Sequence, residues 1–509
     1  MASGAVLLAS LPAVGRAAAR AVVVVSPTGP VRGVTPALFG LNGVDTTGPA
    51  WSSKKLQAAL AGFFGAGVLR YPGGTAANYW SWRDGWFQPG RWPAEPPRRV
   101  DDRLSVFNGA LQASGAMPVF VLNTVTYEGQ VGANANNTAM LRSQLSFLHA
   151  AAAEGWPVKM VELGNEIYLK GPFSGRHGED YMQRFSTAAD YASQMNPWIA
   201  AIHRAFPGVQ VAAVATDAND IHGIAQRRLH WNAGELPLLH GENAVTIHEM
   251  LPVSDPTASP DTVLAYPYLH LQKLKAHELR LFGADKLPLW ITAFNLDDVT
   301  SGHVFRDTWM QGLFVGEQAL QLLSIPDVKN LALSSGVGDA KAAIFNGPRG
   351  FGSGGPATVP FTLTATGTTV SAIQTALHSA TSIQALSFSP EPELGTTGAP
   401  SLVGDVLTTS AGPQLLLENL SSQPLSLDLS AFFPGGFTAT QTSAPSVQTL
   451  VTGPASTTQS TSSGTADLQV GPYAFAKVAA GPGYKTWMAG PALTAMSIAG
   501  PGIVPDEPG

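Results

Sequence analysis

Between residues 37 and 335 the chain alternates short β-type runs with longer helical patterns, and this alternation narrows its fold more than any other feature. Numbered 1 to 8 in chain order, the runs are Leu38–Asn42, Val68–Tyr71, Val119–Asn123, Met160–Gly164, Val209–Ala215, Val245–His248, Leu289–Thr292 and Val328–Leu333. Eight runs spaced by roughly 30–50 residues, most of them separated by helix signals, predict a parallel (β/α)8 TIM barrel. The clearest helix lies between runs 3 and 4. Asn136 or Asn137 can cap it, Leu141, Leu145 and Leu148 share one face, and Gly155 ends it before Trp156-Pro157.

Composition changes after residue 345. Residues 346–482 are rich in Gly, Ser, Thr and Pro, poor in Lys and Arg, and carry alternating runs such as Gln414–Leu417, Leu425–Leu429 and Ala466–Val470. That pattern predicts an appended C-terminal β-sandwich. The run Ala21–Val25 precedes the barrel and needs strand partners, so residues 21–36 are expected to join the sandwich. The barrel then occupies residues 37–345. The tail, residues 483–509, has no periodicity and is expected to pack loosely. Residues 1–20 read as a signal remnant or a disordered extension, because their Ala/Leu run ends in small residues but lacks a basic start. A secreted or periplasmic location follows from the first reading and a cytoplasmic one from the second.

Across 509 residues, 45% are apolar and the formal charge is only −6, which supports a sizeable core and argues against nucleic acid as a partner. No stretch beyond the N-terminus is long and apolar enough to span a bilayer, so no membrane partner is expected. The absence of cysteine excludes thiolate metal sites and thiol nucleophiles. The Gly350–Gly355 run fits the GxGxxG spacing, yet Pro356 and a β-like run follow where a dinucleotide site needs a helix. His248-Glu249 and His277-Glu278 lack the second His of a zincin. Neither a cofactor nor a metal is expected.

In a parallel barrel, reacting groups come from the carboxyl ends of the strands. Run 2 ends in Arg70-Tyr71-Pro72 with Asn78, Trp80, Trp82 and Trp86 beyond it, and run 3 ends in Asn123. Run 4 ends in Gly164-Asn165-Glu166, run 6 in His248-Glu249, and run 7 in Ala293-Phe294-Asn295. Aromatic faces, amides and a carboxylate at one rim suit a sugar, so a glycoside or oligosaccharide is the expected partner. Glu166 is the candidate general acid, with Asn165 beside it to bond a hydroxyl.

The strings LGNE after run 4 and WITAFN after run 7 resemble the clan A retaining glycoside hydrolases. LRYPGG and FGLNG are most similar to the heparanase/β-glucuronidase branch, with the α-L-arabinofuranosidase branch next. The resemblance implies Glu166 as acid/base and position 293 as the seat of the nucleophilic Glu, where this chain carries Ala293. It also implies that Arg70 lies near that nucleophile, and that His248 orients it or touches the sugar. Trp80, Trp82, Tyr266, Tyr268 and Asn295 complete the expected substrate-binding set.

A retaining mechanism needs two carboxyls about 5–5.5 Å apart, and a methyl group cannot form the glycosyl-enzyme. Because the neighbours of position 293 are retained, the expected reading is an inactivated nucleophile variant, Glu replaced by Ala, of a β-glucuronidase-like enzyme. The alternatives are a naturally inactive barrel that binds carbohydrate, and an arabinofuranosidase or β-glucosidase activity.

Overall fold

The computed structural model describes residues 22–43, 51–63, 67–88, 103–131, 135–171, 178–217, 226–284, 287–334 and 361–482. The N-terminal extension, the C-terminal tail and the Gly350–Gly355 run lie outside them.

Eight parallel strands close into a barrel: Phe39–Asn42, Val68–Tyr71, Met117–Val121, Met160–Glu162, Gln210–Val214, Ala244–Val253, Leu289–Asp298 and Val328–Leu333. Strand 8 returns to strand 1 through Leu331 opposite Phe39, which removes every free edge. Inward side chains Val68, Val119, Met160, Ala212, Ala244 and Trp290 fill the barrel's lower interior. Outward ones join the large core beneath the helices, including Leu69, Phe120, Val161, Val211, Val245 and Ile291. The chain thus uses period-2 alternation to build two separate apolar layers.

Strands 6 and 7 run longer than their apolar stretches suggest. They stay paired through Asp298 opposite Val253, so polar residues expected at a tip belong to the strand itself. The register shifts between Ile291 and Ala293, leaving Thr292 as an inserted residue. A bulge of this kind turns successive side chains toward the same face.

Helix Ala365–His378 lies inside the segment expected to be sandwich, but it packs against the barrel helix Trp309–Leu323. Val370, Ile373 and Leu377 supply its buried stripe, and the Thr364 hydroxyl accepts from the Gly367 amide to cap it. The β-sandwich domain follows as a nine-stranded sheet folded over itself around Leu415, Leu417, Leu427, Phe437, Leu468 and Val478. Val23–Gly33 enters that sheet between Ala380–Ser389, antiparallel, and Leu425–Asp428, parallel. From this strand Arg32 reaches the barrel. Its guanidinium donates to the carbonyls of Leu323, Ile325 and Val328 at 2.5–2.7 Å, closing the end of a barrel helix.

Candidate active site

Strand 4 delivers the central carboxylate through a strained turn. Gly164 has φ +101°, and a side chain there would meet the Thr124 hydroxyl at 2.6 Å, so only glycine fits. Glu166 itself sits at φ +48°, a left-handed backbone that a non-glycine residue adopts at some cost. Asn78 holds the turn in that shape: its amide nitrogen donates to the Asn165 carbonyl at 2.6 Å, and its amide oxygen accepts from the Asn165 N–H at 3.1 Å.

Glu166 is 26% exposed and lies 2.9 Å from His248 Nδ1 through its Oε1. On its other side the His248 ring has Nε2 3.4 Å from the Thr292 hydroxyl. Ala293 stands in register with His248 on the neighbouring strand. Residues directly opposed in a parallel pair project to the same face, so the Ala293 methyl shares the inner face with the imidazole that holds Glu166. It is 4% exposed.

Arg70 and Glu162 lie beneath. The Arg70 Nε is 2.9–3.0 Å from both Glu162 oxygens, and one terminal nitrogen, Nη2, reaches Glu162 Oε2 at 2.6 Å and Asn165 Oδ1 at 3.1 Å. This ion pair is sealed from solvent. Arg70 is expected near position 293, and the structure pairs it with Glu162, which no local signal marks and which projects into the barrel four residues before the conspicuous Glu166. Two donors here have no partner among the described residues, Arg70 Nη1 and Asn165 Nδ2.

Above Glu166 opens a cavity of about 530 Å³, lined among others by Tyr168, Arg228, His248, Met250 and Asp297. Burial, then the charge of Glu166, pushes the Tyr168 phenol upward, so it stays a neutral hydroxyl. The Arg228 guanidinium lies 5.2 Å above the Tyr168 ring and is anchored by its Nε on the Thr216 hydroxyl at 2.9 Å. The sequence reading missed these two and Asp297. Tyr168 could have been found two residues beyond Glu166, and Asp297 on the same strand face as Ala293. Arg228 carries no signal, because nothing in its neighbourhood marks a barrel tip.

Several expected substrate contacts lie elsewhere. Trp80 is buried among Tyr71, Trp86 and Phe87, with its indole nitrogen 3.2 Å from the Tyr71 hydroxyl. Trp82 packs on Phe147 and donates to Ser143. The Asn123 side chain shapes a turn, accepting from the amides of Val125 and Thr126. Asn295 is fully buried and donates to the Ser334 carbonyl. Tyr266 and Tyr268 belong to helix Tyr266–Ala284. Tyr266 packs on Phe314, and Tyr268 lines a cleft between the barrel and the sandwich. Glu249 points away from the cavity, through the barrel wall, to His270.

No protein-family model matches the chain, and no curated protein matches it. Solved structures share its fold. An α-L-arabinofuranosidase from Thermotoga maritima, in complex with arabinose, aligns over 90% of this chain and 99% of its own with a TM-score of 0.64 and 15% identity. The GH51 arabinofuranosidase from Xanthomonas axonopodis pv. citri gives 0.66 at 14% identity, over 90% and 99% of the two chains. A 4-O-α-L-rhamnosyl-β-D-glucuronidase from Fusarium oxysporum 12S, in complex with Rha-GlcA, gives 0.58 at 14% identity, over 90% and 100%. At these identities the likeness defines the class of architecture, a (β/α)8 barrel with an appended β-sandwich. No helix among the described residues is long and apolar enough to cross a membrane.

Proposed function

We propose that the chain is a glycoside hydrolase of retaining design whose nucleophile seat, position 293, is held by alanine. Glu166 is the acid/base, held by His248. The observation that carries this reading is the pair of orphaned donors, Arg70 Nη1 and Asn165 Nδ2, buried beside Glu162 at the end of strand 4. Buried donors without partners are costly, and a site built to receive a carboxylate and a sugar hydroxyl would leave these two waiting. In the competent form a glutamate at 293 engages Arg70, and Asn165 bonds the substrate.

The substrate we infer is a glycoside with an acidic sugar, of the β-glucuronide type. Arg228 places a guanidinium in the cavity wall, and one cation suffices for one terminal carboxylate. The glucuronidase of the same fold lends weight to this choice, and the arabinofuranosidases keep a neutral furanoside as the runner-up.

The test is Ala293→Glu. Aryl β-D-glucuronides should be hydrolysed with retention of anomeric configuration, followed by NMR of the first-formed product, while the Ala293 chain turns over slower by several orders of magnitude. If Ala293→Glu binds sugars but hydrolyses none of a broad glycoside panel, the second reading takes over. That reading is a carbohydrate-binding barrel, and Ala293 itself is the observation favouring it.

A further inference from the structure

Behind the cavity wall, between strands 5 and 6 and helix Tyr266–Ala284, three chemistry-bearing side chains converge. His270 Nε2 lies 3.1 Å from Asp217 Oδ2 and 2.9 Å from Glu249 Oε2. One ligand atom from each fits within 4.8 Å of the others, and all three residues are buried. We propose that Asp217, Glu249 and His270 form a binding site for a divalent transition-metal ion, Zn2+ or Mn2+.

One observation beyond the convergence supports a cation. Glu249 Oε1 has no partner among the described residues although the residue is 0% exposed. Since its sister oxygen touches His270, this orphaned acceptor lies at the same cluster. The orphan is an oxygen acceptor, which a metal ion satisfies. A further hydrogen-bond donor would be needed if protons alone held the cluster.

The ligand chemistry points the same way: two carboxylic side chains and one imidazole, all buried, present two oxygen ligands and one nitrogen ligand to a single ion. One nitrogen and carboxylate oxygens match Zn2+ or Mn2+ better than Mg2+ or Ca2+, which take oxygen sets. The ion would tie the end of strand 5 and a helix to Glu249, the residue after His248. It would thereby fix strand 6 behind the acid/base. This site does not depend on the activity proposed above.

The experiment uses the full chain, stripped with EDTA, then re-equilibrated with ZnCl2 or MnCl2 and desalted. About one equivalent of metal should remain by mass spectrometry, and saturating ion should raise Tm by roughly 3–8 °C. His270→Gln and Glu249→Gln should each weaken binding by at least about tenfold and abolish the Tm shift. His378→Gln, at the exposed end of another helix, should bind like the parent chain. Asp217→Asn provides a third variant if another fails to fold by circular dichroism. Failure of the folded parent chain to retain metal overturns the site. Equal binding by the parent chain and the folded cluster variants overturns it too, because the ion then sits elsewhere.

Discussion

Ala293 faces the same side of the barrel wall as His248, its register partner, and His248 Nδ1 lies 2.9 Å from Glu166 Oε1. The His248 imidazole that holds the Glu166 carboxyl therefore stands on the same side of the barrel wall as the Ala293 methyl. Thr292, the inserted residue before Ala293, is why position 293 turns inward at all.

If the seat at 293 lacks only its carboxylate, a small anion should replace it. With azide and an activated aryl glucuronide, the Ala293 chain should form the glycosyl azide of inverted configuration, because the anion attacks from the face opposite the leaving group. In the Ala293→Glu background, Glu166→Ala should slow substrates with poor leaving groups by about 10²–10⁴-fold and activated ones far less. Equal losses across a leaving-group series would remove Glu166 from the acid role.

Arg228 should discriminate between acidic and neutral sugars. In the Ala293→Glu background, Arg228→Ala should cost about 1.5–3 kcal/mol in kcat/KM for a glucuronide and little for the matching glucoside. Because Arg228 also covers the Tyr168 ring, Arg228→Lys is the companion variant. It keeps the charge but not the planar fork, and should recover only part of the loss. A uniform loss for both sugars would reject uronate recognition.

The alternating runs made the barrel legible, since a strand buried on both faces must be apolar whatever its neighbours. Glu166 was legible too, because a Gly-Asn-Glu turn after an apolar run is a local signal. What escaped reading was set by tertiary context. Helix Ala365–His378 hides its stripe among threonines and alanines, which look like sandwich composition. Trp80 and Trp82 look like sugar platforms, and only packing decides that they belong to an aromatic core. The partner of Arg70 was hidden because Glu162 is 92 residues away and identified only by its inward direction. Charge pairing inside a barrel depends on strand register, which no local window contains.

That pair gives a stability prediction. Arg70 and Glu162 are 1% and 0% exposed and joined by several short contacts, so removing one partner strands a buried charge. Arg70→Met and Glu162→Gln should each destabilise the protein by about 3–5 kcal/mol, measured by denaturant unfolding. The double variant should recover part of the loss, since two apolar or neutral groups need no counter-charge. Additive losses would show that the two residues act independently.

The seam between the domains should respond to pH. Glu418 on the sandwich is fully buried with neither carboxyl oxygen partnered among the described residues, and it packs so closely on helix Trp309–Leu323 that a side chain at Gly316 would meet its Oε1 at 2.7 Å. Burial, and then the neighbouring Glu317, raises its pKa well above the ordinary 4.5. Burial raises Glu317 likewise. A carboxyl in this position keeps its proton in the folded chain over a range where the unfolded chain has released it. Unfolding then releases protons, so stability falls as pH rises above about 4.5 and keeps falling until the folded-state carboxyls also ionise. Below about pH 4 both states are protonated and these groups contribute no slope. Glu418→Gln keeps the shape and removes the titration. Its advantage over the parent chain should therefore be near zero at about pH 4 and reach about 1–3 kcal/mol by about pH 8. Calorimetric unfolding across that range checks it, and parallel stability curves for the two proteins would show that Glu418 is not held neutral at the seam.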